Sequence, residues 1–316
     1  MTLGFLTTNS ETLLYALFGI IIIGFLVIDL GVLNKSATKI STKSAFYQTL
    51  FWIGISIAFG VAIYIQDNDS KATLEFFSAY LTEKALSVDN IFVIILILRY
   101  FKVEEKFYHK ILFWGILGAI VFRGIFIFLG VYLISHFHWI LYIFGAFLVF
   151  SGFKLIFNSD EDEFQPEKSP IIKFARKYLN ITKSHFGGKF VFMRGKKLYF
   201  TPLFLVIILI ESTDLIFAVD SIPAVFAISK DEFILYTSNI FAVMGLRAMF
   251  FLMAGVLDRF YLLQKGLSLI LMFIGVKMLL EIIDIEIPIF ISFSVILLCL
   301  GFSILISIIK PKPEVV

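Results

Sequence analysis

Long apolar stretches alternate along the chain with short, charge-bearing connectors, and one helix needs roughly twenty apolar residues to cross a bilayer. About nine such stretches are legible: Glu11–Leu33, Tyr47–Gln66, Leu74–Tyr100, Ile111–Ser135, Trp139–Phe157, Thr201–Ser229, Phe233–Leu257, Leu262–Ile283 and Pro288–Ile309. Barrel strands run only about ten residues with alternating polarity, so these runs predict helices. The expected fold is all-α and membrane-embedded. One transmembrane domain would cover 1–316, with a single sizeable connector at about 158–200.

The connectors differ in charge, and the difference sets an expected orientation. Lys35, Lys39 and Lys43 follow the first stretch, Arg99, Lys102, Lys106 and Lys110 the third, Arg259 and Lys265 the seventh, and Lys310 and Lys312 the ninth. The opposite connectors are poor in Lys and Arg. The positive-inside rule then places the N-terminus outside and the C-terminus in the cytoplasm of a bacterial inner membrane, as an odd span count requires. No basic segment precedes the first apolar run, so no cleaved signal peptide is expected. The 158–200 connector opens acidic (Asp160, Glu161, Asp162, Glu163) and continues basic, which would make it cytoplasmic. It reads either as a solvated linker or as holding a short amphipathic helix near Ile171–Leu179 that lies on anionic lipid.

Composition sharpens this picture. Hydrophobic residues make up 59% of the 316 and charged residues 16%, too few charges to cover a soluble domain of this length. The mean hydropathy is +0.96. Thirty-nine Phe suit lipid contact, and a net charge of +3 gives no reason to expect nucleic acid. Cys299 is the single cysteine, so neither an internal disulfide nor a Cys-based metal site is available. HExxH, G-x-S-x-G and P-loop motifs are absent, and neither an enzyme nor an ATP-driven pump is expected.

A pattern of polar residues recurs inside the apolar frame. Thr82–Ile91 (TEKALSVDNI) in the third stretch aligns with Thr213–Ile222 (TDLIFAVDSI) in the sixth. Arg123 then corresponds to Arg247, and Gly152–Leu155 (GFKL) to Gly275–Met278 (GVKM). Each copy comprises three spans, third to fifth and sixth to eighth. An odd number inverts the second copy in the membrane, the plan of many secondary transporters, whose site lies where the repeats meet.

Five acids fall within two of these stretches: Glu83, Asp89, Glu211, Asp214 and Asp220. One Asp at a helix centre costs about 2.5–3.5 kcal/mol facing lipid, so the acids should face protein, water or a cation. Ion pairing with Lys84, Arg123, Arg247 or Lys277, protonation, and metal binding all answer that cost. Glu83, Ser87 and Asn90 share one helical face, as do Asp214, Ala218 and Ser221. Asp89 and Asp220 sit about 120° from their partner acids, which requires either distorted helices or two sites on one pathway. Pro223 displaces a hydrogen bond to the Val219 carbonyl and would provide such a distortion, although a packing kink is an equal reading. All these donors are hard oxygens, suited to Mg²⁺, Ca²⁺ or Mn²⁺ more than to Cu(I) or Zn²⁺. His109, His136, His138 and His185 stand at span ends or in the connector, where interfacial roles are usual. Asp29, at the inner end of the first stretch, reads as an ion mouth or an interfacial cap.

At these residues the sequence resembles the TerC/Alx family of bacterial inner-membrane proteins. The resemblance runs from DLGVLNK at Asp29–Lys35 through EKALSVDNIF at Glu83–Phe92 to ESTDLIFAVDSIPA at Glu211–Ala224, with GLRA at Gly245–Ala248 and GVKM at Gly275–Met278. It implies metal-ion homeostasis, chiefly Mn²⁺ export, in a family historically labelled for tellurium resistance. The family's acidic membrane residues would map to Glu83, Asp89, Glu211, Asp214 and Asp220. The expected activity is proton-coupled Mn²⁺ export without a permanently bound cofactor, cation release accompanying protonation of a carboxylate. Glu83, Asp89, Asp214 and Asp220 would hold the ion with Asn90 and Ser221. Glu211 would add a ligand or carry protons, and Asp29, Arg123, Arg247 and Lys277 would supply counter-charge or a proton path. The other expectation is a membrane scaffold or assembly factor in a metal or tellurite stress response, recruiting partners through its basic connector. Divalent cations and membrane lipids are the partners expected.

Overall fold

The computed structural model describes residues 18–20, 22, 24, 41–67, 70–137, 139–157, 170–182, 186–195, 197–255, 262–283 and 285–309. Most of the first predicted span, Asp29 included, and the acidic run Asp160–Glu163 therefore lie outside the described residues. The helices are α1 (Thr42–Asp67), α2 (Ser70–Tyr100), α3 (Tyr108–His136), α4 (Ile140–Phe157), α5 (Pro170–Tyr178), α6 (Pro202–Phe226), α7 (Glu232–Val243), α8 (Leu246–Ala254), α9 (Leu263–Leu280) and α10 (Ile289–Ile309). Between α5 and α6, β1 (Val191–Arg194) and β2 (Lys197–Phe200) pair antiparallel, with Gly195 at positive φ in the turn.

The described residues bear out part of the nine-span expectation. Among the described residues five helices are long and apolar enough to cross a membrane, or six if α7 and α8 count as one span bent by 41°. The other candidates among the described residues fall outside those limits of length and composition. α2 has 31 residues, about 46 Å by helical rise, but carries charges along its length. α4, at 18 residues, is about 27 Å long, slightly short of a typical hydrocarbon core. The seventh stretch breaks at Gly245, whose φ of 78° suits glycine; a Cβ there would also sit 2.7 Å from the Trp52 ring.

The break exposes carbonyls that a continuous helix would satisfy. Lys84 reaches them from α2, its ammonium donating to the oxygens of Ala242 and Met244 at 3.0 Å each. Local chemistry sets other helix ends as well. Asp231 caps α7 by accepting from the Phe233 and Ile234 amides, and Thr201 precedes Pro202 at the first turn of α6. At the end of α2 the Val103 amide returns to Leu98 O and the Lys102 amide to Arg99 O, a Schellman closure. Its left-handed position is filled by Lys102 at φ 48°, where a glycine would be cheaper by about 1 kcal/mol.

Two apolar clusters hold the bundle. One gathers Phe59, Phe76, Phe241 and Phe250 from α1, α2, α7 and α8, with the Phe59 and Phe241 rings 4.5 Å apart. Phe18, in the first predicted span, packs on the same group. The other joins Leu148 of α4 to Leu271 and Ile274 of α9. Side chains such as Phe128, Phe150 and Phe290 point outward, at 64%, 63% and 65% exposure, an apolar outer surface that lipid would cover.

The packing partners exchange in pairs: α2 packs on α7 while α6 packs on α3. α4 and α9 meet through glycines. A Cβ on Gly152 would meet Ser268 O and Met272, and one on Gly275 would meet Gly145 O and Val149. With Gly152 set against Gly275, residues 268 and 272 stand 123 beyond 145 and 149, so the contact is reciprocal. Gly275→Val and Gly152→Val are expected to cost about 1–3 kcal/mol each by overpacking against backbone. A thermal-unfolding comparison in detergent checks this; unchanged midpoints would show that the helices separate freely.

Candidate functional site

The expected polar faces form as the helical period requires. Glu83, Ser87 and Asn90 are all buried on α2, and Asp214, Ala218 and Ser221 are all buried on α6. Glu83, Asp214 and Arg123 are 0%, 2% and 3% exposed. Arg123, from α3, bridges the two faces. Its Nη1 pairs with Glu83 Oε1, and its Nη2 lies 3.5 Å from Asp214 Oδ1. The same Asp214 oxygen accepts from Asn90 Nδ2 at 2.5 Å.

Two carboxylates thus share one guanidinium. With both ionised the cluster carries a surplus negative charge, and burying such a charge is expensive without a further cation or proton. The oxygens not used in these contacts are informative. Asp214 Oδ2, Asn90 Oδ1 and Ser87 Oγ are buried without a hydrogen-bond partner. Ser87, Asn90 and Asp214 also line a cavity of about 30 Å³, closed by aliphatic residues of α2, α3 and α6 and by Leu246 and Phe250 of α8. That volume admits one or two waters, or an ion with part of its hydration.

Glu211 lies one turn before Asp214. Its carboxylate rests on Gly118 of α3, where any Cβ would collide with both oxygens, and its Oε2 is buried without a hydrogen-bond partner. Asp220 is placed differently: its Oδ1 accepts from Ser151 Oγ of α4 at 2.7 Å. Asp89 is half-buried on α2, and Ser221 Oγ is buried without a hydrogen-bond partner. Arg247, at the start of α8, is buried at 3% exposure. Lys277 donates to the Ala227 carbonyl beyond the end of α6 at 3.0 Å, so its ammonium meets backbone there. Among the described residues no three His, Cys, Asp or Glu side chains converge closely enough to hold one ion. The structure therefore joins Glu83, Asn90, Asp214 and Arg123, with Glu211 one turn away, and gives Asp220 a different partner.

Three contributors were not singled out from sequence. Ser151 stands beside the repeated glycine motif, but a serine in an apolar helix usually bonds its own backbone. Gly118 is marked by nothing but being glycine. Ser87 was placed on the polar face without a role.

The family pattern described as "Integral membrane protein TerC family" matches residues 68–314. The chain belongs to the TerC family. Related full-length proteins agree. A membrane protein of Rickettsia bellii (strain RML369-C) is 45% identical over 296 residues, covering 94% of this chain and 97% of its own. STKORF319, a membrane protein of Myxococcus xanthus, is 40% identical over 95% of this chain and 93% of its own. The Escherichia coli (strain K12) protein named "Putative membrane-bound redox modulator Alx" is 42% identical over 96% of each chain. No solved structure matches. The TerC-family match begins at residue 68, so α2, α3 and α6 with their buried charged side chains lie wholly within it.

Proposed function

We propose that this TerC-family protein is a secondary transporter that carries a divalent cation, Mn²⁺ or a close relative, out across a bacterial inner membrane. One observation carries the reading: a buried carboxylate, Asp214, keeps an oxygen without a hydrogen-bond partner beside a small cavity that Asn90 and Ser87 also line. Hard oxygen donors of this kind, completed by water, suit Mg²⁺ and Mn²⁺, which bind through one or two carboxylates and retain several waters. Glu83 and Arg123 set the charge around the cation, and Glu211 is placed to exchange a proton one turn away. Asp89 and Asp220 would belong to a second station on the path.

The exchanged packing of α2 on α7 and α6 on α3, with the reciprocal glycine contacts of α4 and α9, supports two inverted repeats. In that arrangement the 173–197 connector is cytoplasmic and 67–71 is outside. With Cys299 removed, a cysteine placed near Lys71 is expected to react with an impermeant thiol reagent on intact cells, and one near Lys173 is not. Labelling of the Lys173 position from outside would overturn both the orientation and the inversion.

The name of the Escherichia coli relative refers to redox, but Cys299 is the single cysteine here, so a dithiol switch within one chain is not open to this protein. Vesicles containing only this protein test the transport reading. Mn²⁺ flux is expected, with Ca²⁺ and Mg²⁺ as measured competitors; flux no greater than in empty vesicles would favour a scaffold instead.

A further inference from the structure

Most hydroxyls of these apolar helices bond their own backbone, but three on α2 do not. Thr49, Ser56, Thr237, Ser268 and Ser303 each donate to the carbonyl four residues back, at 2.6–2.9 Å. Ser78, Thr82 and Ser87 of α2 are buried, at 0%, 0% and 1% exposure, and their hydroxyls have no hydrogen-bond partner. Among the described residues the other buried Ser or Thr in that state are Ser221 of α6 and Ser292 of α10, and both helices pack on α2. On α2, Glu75, Ser78, Thr82, Ser87 and Asn90 recur every three to five residues on one half of the helix, over about 22 Å. At one end of this stripe Ser87 and Asn90 line the Asp214 cavity. At the other a pocket of about 380 Å³ opens, lined by Glu75, Glu281 and Glu286 together with Lys71, Lys230 and Lys277. There Ser229 donates to Glu75 Oε2 at 2.5 Å, and Ser292 stands one turn beyond Pro288 of the pocket wall. α6 keeps step with α2 between the two ends: Asn90 to Glu75 and Asp214 to Ser229 are both 15 residues. Ser221 is therefore level with Glu83, midway along the stripe.

A buried hydroxyl without a partner weakens a fold, and in native proteins such groups mark ordered water or an ion. Close helix packing does not call for it. Ser303 lies against Gly266 at the contact of α9 and α10 and still bonds the Cys299 carbonyl. Polar side chains inside spans are expensive, and those that persist mark substrate and ion pathways. We propose that this stripe is the passage along which the transported cation, with its water, moves between the Asp214 cavity and the pocket at Glu75. In the described conformation the packing of α2 on α6, α7 and α10 closes it. When it opens, water and the cation's hydration shell supply the partners that the protein does not give these hydroxyls. The inference rests on the transport reading and extends it from a site to a route.

Two measurements on the full-length protein test it. In nanodiscs, where both faces of the bilayer meet water, and with Cys299 removed, Ser78→Cys and Thr82→Cys are exposed to a trimethylammonium thiosulfonate and followed by intact mass. Both should react at least about tenfold faster than Thr237→Cys and Ser303→Cys, whose native hydroxyls bond backbone, because a charged reagent reaches a thiol only through water. Equal rates at all four positions overturn the passage, whether or not the protein carries Mn²⁺. The second measurement is Mn²⁺ flux in vesicles beside the melting temperature. Thr82→Val keeps the volume and removes a buried hydroxyl without a partner, so the melting temperature should hold or rise. Flux per molecule should nevertheless fall at least about tenfold, a split that a packing role would not produce. Undiminished flux in both Thr82→Val and Ser78→Ala overturns the passage and leaves the Asp214 site standing. A lowered melting temperature in Thr82→Val also overturns it, since the hydroxyl would then have a partner in the fold. Absence of flux in the wild type overturns the transport reading itself, which the labelling rates do not depend on.

Discussion

Asp214→Asn is expected to lower Mn²⁺ flux per molecule by roughly a hundredfold, while the protein still inserts and accumulates. Asn preserves size and the hydrogen bond from Asn90 but removes the charge that a divalent ion requires. It also leaves Glu83 and Arg123 as a balanced pair, so folding should suffer little. Flux per molecule measured in vesicles with purified protein checks this, with Asp89→Asn and Asp220→Asn beside it. The same loss in all three would mean that both stations act in series. Undiminished flux in Asp214→Asn would make that carboxylate structural and remove the proposed site.

Arg123→Met should act on stability. It strands two carboxylates, Glu83 and Asp214, that are 0% and 2% exposed, and breaking a buried pair in this way costs about 3–5 kcal/mol. Little folded protein is expected in detergent. Adding Glu83→Gln should restore much of the folded yield, because one uncompensated charge disappears with its partner. Size-exclusion profiles and unfolding midpoints of the two variants distinguish this from a simple packing loss, for which the second substitution would give no recovery.

The helices were legible in the sequence because lipid imposes a plain rule on composition, and the eight predicted stretches within the described residues all contain helix. Their ends were less so. α1 begins at Thr42 although the apolar run begins near Tyr47, since a helix continues through polar residues once its middle is formed. The break at Gly245 left no trace in hydropathy because Met244 and Leu246 on either side are apolar; only the backbone needs of glycine reveal it. The hairpin at 191–200 was hidden by its basic surroundings, although Gly195 between two aromatic-bearing runs is a turn signal.

The candidate site divides the same way. The cost of burying charge was enough to bring Arg123 inward, and the helical period placed Glu83 with Asn90. That Asn90 would donate across to Asp214, and that Ser151 would hold Asp220, depends on how α2, α4 and α6 pack. No spacing within one segment encodes that. Lys84 illustrates the limit well. Its charge suggested an acid as partner, whereas two carbonyls of a broken helix receive it.

The glycine seam of α4 and α9 has a mechanical meaning. Where side chains separate two helices, rotamer changes let one slide along the other; here Gly152 and Gly275 bring backbone against backbone, which has no rotamers to change. In the proposed transporter, relative motion of the two repeats would then be confined to turning about the seam, as on a fulcrum. A small rotation there would sweep the distant ends of α2 and α6 through much larger arcs. Labels placed across the seam would keep their separation while labels across those ends would not.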